Sequence, residues 1–432
     1  MSHTINQPPA LSRPEPSKAY RWVVLCFISL TMFGNYYLYD SIAPVADLLK
    51  SQMSFTDQMI GRLYSVYSYA AVATLLIGGI IIDRIGTKKA VTLFGVICTI
   101  AGILTCSSDF HIMLVGRFLL GMGAESLIAA VTTALAKWFK GKEIGFAFGV
   151  NLTIARLGST ATDYSPTFAK PLYTNWHSPL VLAAALGAFC TLGAIVYWIL
   201  EARAEKQYVV GEAASTDKLV WKDLLTFDAS FWYITGLCLT FYAAIFPFRS
   251  FAIKFFQEGY GMTRPAAGQL NAFLPQAAMI ATPLFGLLVD KIGKRALFMA
   301  MGSLIIIPAY LLMLPSLHVT PYISMTLIGI SFSLIPAIMW PSVAYLVNEK
   351  KLGTAYAIMG LIQQLGVAAI DEGVGWSNDH FHASVANPNG YNGMLYLVSA
   401  LGFLGLFFSF MLWKTEKGPR AHGLETIKAK TA

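Results

Sequence analysis

Gly79-Ile80-Ile81-Ile82-Asp83-Arg84-Ile85-Gly86-Thr87-Lys88-Lys89 and Gly286-Leu287-Leu288-Val289-Asp290-Lys291-Ile292-Gly293-Lys294-Arg295 are two copies of one phrase, each closing an apolar run. Asp83 and Asp290 lie about half of the 432-residue chain apart, so the sequence repeats itself internally. Repeats of this length are a mark of transporter folds. In each copy an aspartate ends the apolar run, and a glycine and a basic cluster follow. The first glycine lets helices approach, the aspartate can cap a neighbouring helix N-terminus, and the basic cluster anchors the turn on the cytoplasmic side.

Composition agrees with a bilayer environment. The chain is 56% hydrophobic and only 12% charged, with a mean hydropathy of +0.58. A water-soluble surface normally needs about a quarter charged residues. The formal charge of +8 does not indicate nucleic acid, because Lys and Arg sit in short loops beside apolar runs rather than on one face. The five cysteines lie inside apolar stretches without metal-ligand spacing and read as packing residues. His380 and His382 beside Asp379 are too loosely patterned for a metal site. No cofactor is expected, and no nucleophile-base pair or phosphate loop points to an enzyme.

A helix needs about 20 apolar residues to cross a bilayer. Twelve such stretches are predicted, near 20–45, 58–82, 89–107, 110–138, 142–168, 177–200, 229–256, 264–289, 295–315, 321–347, 352–376 and 390–413. The expected fold is an all-α membrane protein of twelve transmembrane helices in two pseudo-symmetric six-helix halves, 20–200 and 229–414. A polar linker spans 201–228, and short tails span 1–19 and 415–432. An even number of spans puts both termini on one side, and most of the 31 Lys and Arg then fall inside, as the positive-inside rule requires.

The duplicated phrase resembles the loop signature of the major facilitator superfamily, which occurs between helices 2 and 3 and again between 8 and 9. Arg117-Phe118-Leu119-Leu120-Gly121-Met122-Gly123 is similar to that family's second signature. The Gly-rich phrase of drug antiporters is missing from helix 5. Asn35-Tyr36-Tyr37-Leu38-Tyr39-Asp40, Gly123-Ala124-Glu125-Ser126 and Ala155-Arg156-Leu157-Gly158 resemble the branch whose vertebrate members are lysosomal dipeptide uniporters. The resemblance implies alternating access, gating rather than binding by Asp83, Arg84, Asp290 and Lys291, and a substrate site near the bilayer midplane. The vertebrate proteins carry an N-terminal dileucine sorting signal, which residues 1–18 lack. The expected location is a plasma or bacterial inner membrane, with a lysosomal membrane as the alternative.

Ionisable residues inside spans are costly and therefore candidates for function. Glu125 and Arg156 lie at equal distances on either side of the turn between helices 4 and 5, near the bilayer middle. Two readings stay open: a bridge that locks the helices, or a pair of charges holding opposite ends of a zwitterion. Arg117, Asp163 and Asp40 share the outer half and read as an outer gate or a structural bridge. Arg249 shares a face with Tyr242 and Phe246, and its depth matches Asp371 and Glu372; gating and substrate contact both fit. Tyr36, Tyr39, Tyr64 and Tyr67, with Asn271, Gln276, Gln363 and Gln364, read as hydrogen-bonding walls that suit a variable peptide or, each taken alone, as packing residues. Trp340 beside Pro341 marks a bent cavity-lining segment or plain packing.

The leading expectation is a monomeric carrier of small zwitterions, with a dipeptide as substrate and uniport as mode. Helix 1 lacks the Glu-x-x-Glu-Arg motif of proton-driven peptide symporters. The alternatives are a proton-coupled or exchange carrier of organic anions or small nutrients, and a transporter-like sensor.

Overall fold

The computed structural model describes residues 14–139, 141–209, 221–419 and 421–427. Parts of both expected tails, residue 140 and the centre of the expected linker, 210–220, lie outside the described residues. The chain folds into twelve spans: α1 Lys18–Asp40, α2 Asp57–Ile85, α3 Thr87–Thr105, α4 Phe110–Phe139, α5 Ile144–Phe168, α6 in two pieces His177–Gly187 and Phe189–Gln207, α7 Ala229–Tyr260, α8 Arg264–Ile292, α9 Arg295–Leu311, α10 Pro321–Leu346, α11 Leu352–His380 and α12 Asn392–Glu416. Among the described residues, nine helical runs are long and apolar enough to cross a membrane, or ten if the bent α2 counts as one span. The two others are α5, diluted by Asn151, Arg156 and Asp163, and the 17-residue α9. α6 continues to Gln207, so the linker begins later than expected.

Local chemistry starts the helices where polar side chains precede apolar runs. Ser17, Thr56, Asp228 and Thr263 cap α1, α2, α7 and α8 by accepting a backbone N–H of the first turn. The duplicated phrase ends α2 and α8 at Gly86 and Gly293, whose φ angles of 79° and 77° suit glycine. The expectation that the phrase's leading glycine lets helices approach fails at Gly286. A Cβ there would meet nothing within 4 Å.

The halves meet along α2 against α11 and α5 against α8. Contact is closest at the end of the bundle away from the chain termini, called here the far end. A Cβ on Gly268 would lie 2.2 Å from the Asp163 carbonyl oxygen, so only a bare backbone fits there. Polar bonds reinforce the far end. The Asp379 carboxylate of α11 accepts the N–H groups of Asp57 and Gln58 at 2.9 and 2.8 Å, capping α2 from the opposite half. Lys254, fully buried in α7, reaches Asp57 and the Tyr391 hydroxyl, each at 2.8 Å. Arg264 reaches Asp47 and the Tyr173 carbonyl.

At the termini end, the residues after α12 fold back onto α9. The Glu425 carboxylate accepts from the Ala296 N–H at 2.9 Å, and the Leu424 carbonyl from the Arg295 N–H at 3.1 Å. Arg295, 3% exposed, also pairs with Asp290 at 2.8 Å. The second copy of the duplicated phrase is thereby tied to the C-terminal segment.

Candidate functional site

A cavity of about 410 Å³ lies between the halves, within the range that holds small ligands. Glu125 sits at the middle of α4 and Arg156 at the middle of α5, and both line it. Glu125 Oε1 accepts from the Tyr67 hydroxyl at 3.1 Å and from Gln364 Nε2 at 3.0 Å. Arg156 Nη1 donates to Thr282 Oγ1 of α8 at 3.5 Å. No ion pair links the two charges. Each is half-buried on the cavity wall, its hydrogen-bond partners among the described residues are all neutral, and Tyr36 lies within electrostatic reach of both.

Much of the remaining wall is aromatic and amide, with Ile128, Leu152 and Val367 between them. Tyr242 and Phe246 stack with ring centroids 5.5 Å apart, and Trp340 Nε1 donates to the Tyr242 hydroxyl at 2.9 Å. Tyr39 packs edge-on against Tyr67 at 4.7 Å. Prolines Pro275 and Pro336, inside α8 and α10, also line the space. A proline frees a carbonyl one turn back and bends its helix, which opens room between facing spans.

Toward the far end the floor becomes ionic. Arg249 Nη2 lies 3.0 Å from Asp163 and 3.6 Å from Asp40. Asn271 donates to the other Asp163 oxygen at 2.8 Å. Among the described residues, Arg117 has no carboxylate within ion-pair distance. It is fully buried, donates to the carbonyls of Leu63, Leu38 and Tyr39, and lies 4.9 Å from the Tyr64 ring centroid.

Of the residues expected at the substrate site, Glu125, Arg156, Tyr36, Tyr39, Tyr67, Arg249, Tyr242, Trp340 and Gln363 come together on the cavity wall. Asp40, expected at the gate, joins them. Three do not line it. Tyr64 is buried against Arg117, and Gln276 faces elsewhere on α8. Glu372 accepts from Ser65 at 2.7 Å and lies 3.5 Å from Arg62. The expected grouping of Arg117 with Asp163 and Asp40 is also replaced, because Arg249 takes both carboxylates. Asp83, Arg84, Asp290 and Lys291 lie at the termini end of α2 and α8, remote from the cavity. Ser159, Thr282 and Phe332 line the cavity without having been expected there, and Asn35, the first residue of the helix 1 phrase, lines it too. Thr282 immediately precedes Pro283 inside a span, a local polar break that marked it.

The duplicated architecture with a cavity at the interface of the halves has a counterpart among known proteins: residues 25–370 match the Major Facilitator Superfamily. The chain belongs to that family. It is therefore a membrane transporter and not an enzyme. The lysosomal dipeptide transporter MFSD1 of Homo sapiens is 33% identical over 375 residues, covering 82% of this chain and 80% of that protein. The probable sulfoacetate transporter SauU of Cupriavidus necator is 26% identical over 314 residues, 66% of this chain and 69% of its own. Among solved structures, a bacterial homolog of the human lysosomal transporter Spinster, in an inward-facing and unoccupied conformation, superposes with a TM-score of 0.74. That match has 17% identity and covers 93% of this chain and 98% of the other. The superfamily fold, with twelve helices in two halves, accounts for the short α9 and the polar α5 as genuine spans.

Proposed function

We propose that the protein carries small zwitterions by alternating access and that its substrate is a dipeptide, moved by uniport. One observation carries this reading: Glu125 and Arg156 face the same cavity with opposite charge and do not pair with each other. A buried charge without a counterion is costly, and a zwitterion supplies both counterions at once. Its carboxylate meets the planar guanidinium of Arg156 and its ammonium meets Glu125. The aromatic and amide walls accept varied side chains without demanding one. The similarity to a dipeptide transporter supports the same reading, whereas Glu125 on the wall disfavours an organic anion. A thermal-shift screen of purified protein tests it, since a bound ligand raises the melting point. Dipeptides are expected to stabilise, and sugars and dicarboxylates are not; stabilisation by sulfonates or dicarboxylates alone would replace this reading with the anion carrier.

The basic loops favour a cytoplasmic termini end, with the protein a monomer in the plasma or bacterial inner membrane. Single cysteines at Gln207 and at Ser316 in the far-end loop test the orientation. In intact cells an impermeant maleimide should label the second and not the first; labelling of Gln207→Cys alone would invert the topology. Asp83, Arg84, Asp290 and Lys291 act in gating. Asp83→Asn is expected to slow transport several-fold while leaving ligand-induced thermal stabilisation intact. Lost binding with unchanged cycling would move Asp83 into the recognition machinery.

A further inference from the structure

Apart from the buried Lys254–Asp57 pair, the far-end seal encloses two guanidiniums and three carboxylates. Arg249 answers Asp163 and Asp40. Arg117 is held by three backbone carbonyls and by the rings of Tyr64, Tyr67 and Tyr39, 4.9 to 5.7 Å away. The third carboxylate, Asp371 of α11, is 1% exposed, and neither of its oxygens has a hydrogen-bond partner among the described residues. All five groups are nine-tenths or more buried.

The surroundings of Asp371 leave little room to relieve it. The α2 backbone presses on it, so that a Cβ on Gly61 would lie 2.3 Å from the Asp371 carbonyl oxygen. Tyr39 from α1, Tyr64 from α2 and Arg117 from α4 lie within electrostatic reach of its carboxyl, and the hydroxyl of nearby Ser250 in α7 donates to the Phe246 carbonyl at 3.1 Å. On its own helix Glu372 points away, to Ser65 and Arg62. Asp40 and Arg249 lie beyond the two tyrosines. With every group ionised the seal would bury one uncompensated negative charge, which costs several kcal/mol. One proton removes it, and Asp371, alone among the three in having no ion-pair partner among the described residues, is where it resides.

We propose that the far-end seal is a proton-binding site: it closes with one proton on Asp371 and gives that proton back to far-end water when it opens. An O–H bond forms on one Asp371 oxygen as water leaves, and the same bond breaks as water returns; no electron moves. Asp371 lies outside the cavity wall, so the proton titrates the gate rather than the substrate. The inference rests on the family's alternating access and stands apart from the dipeptide reading. Because closing binds a proton, low pH favours the closed form. Within the range where the open-form carboxyl is ionised, the ratio of closed to open falls about tenfold per pH unit.

The test needs no substrate. Nitroxide labels at Ser51→Cys and Ser316→Cys, exposed far-end sites on opposite halves, report the separation of the halves by pulsed electron resonance. Cys26 and Cys106 are replaced by serine in this background. Between pH 5 and pH 8 the short-distance population should give way to a long one. Asp371→Asn, a neutral isostere of the protonated acid, should hold the short population at every pH, and Glu372→Gln should titrate like the parent. Asp371→Ser provides a second neutral variant should the first fail to fold. Populations in the parent that do not change with pH, or a neutral variant that titrates like the parent, would overturn the proposal.

Discussion

Glu125→Gln and Arg156→Gln are each expected to weaken dipeptide binding by about 2 to 5 kcal/mol, much of it from stranding the substrate's own charge. That is a loss of roughly 30-fold or more in affinity. Arg156→Lys should fail as well, because an ammonium cannot reproduce the two-point grip of a planar guanidinium on a carboxylate. The informative pattern is crossed. Glu125→Gln should no longer discriminate against an N-acetylated dipeptide, and Arg156→Gln should no longer discriminate against the C-terminal amide. Isothermal titration or competition transport with the three ligands reads this out. If both glutamine variants bind the unmodified dipeptide like the parent, recognition lies elsewhere in the cavity, with Arg249 the next group to test.

Arg249→Met should destabilise the sealed far end by about 3 to 5 kcal/mol, the usual effect of removing one partner from a buried ionic cluster. The methionine fills similar volume, so the loss is electrostatic. Asp163, 0% exposed, would keep only its bond from Asn271, and Asp40 would lose its nearby cation. Adding Asp163→Asn should recover much of the loss by removing one of the stranded charges. Thermal unfolding of the two single variants and the double variant gives the coupling directly. Additive losses would mean that the 3.0 Å pair contributes nothing to holding the halves together.

Much of the architecture was legible without a fold. Spans follow from apolar length because lipid cannot satisfy backbone hydrogen bonds, so each crossing must be a long apolar helix. That constraint is local, and the observed helices start and stop within a few residues of the expected limits. The exceptions are instructive. α6 runs past the membrane to Gln207, where Glu201 is buried beside Lys137 and Trp138 of α4. A polar stretch was expected to be linker, and a tertiary ion pair makes it helix. Likewise the expected C-terminal tail is partly docked, because Glu425 finds the free N–H groups at the start of α9.

The cavity was legible in depth and not in direction. Counting residues from a turn fixes how far a side chain lies from the membrane face, and that placed Glu125 and Arg156 at one level. It does not fix the rotation of a helix about its axis. Depth alone therefore allowed Arg117 to be grouped with Asp163, Arg249 with Glu372, and Tyr64 and Gln276 with the cavity. Azimuth is set by how α2 meets α11 and α5 meets α8, contacts between residues far apart in the chain. The sequence by itself determined the membrane environment, the duplicated halves and the level of the charges, since each is a property of one segment against lipid. Only the tertiary structure decided that Arg249 takes Asp163 and Asp40, that Arg117 rests among carbonyls and rings, and that Glu125 and Arg156 face one cavity unpaired. Those outcomes depend on which faces of separate helices meet, and no single segment encodes that.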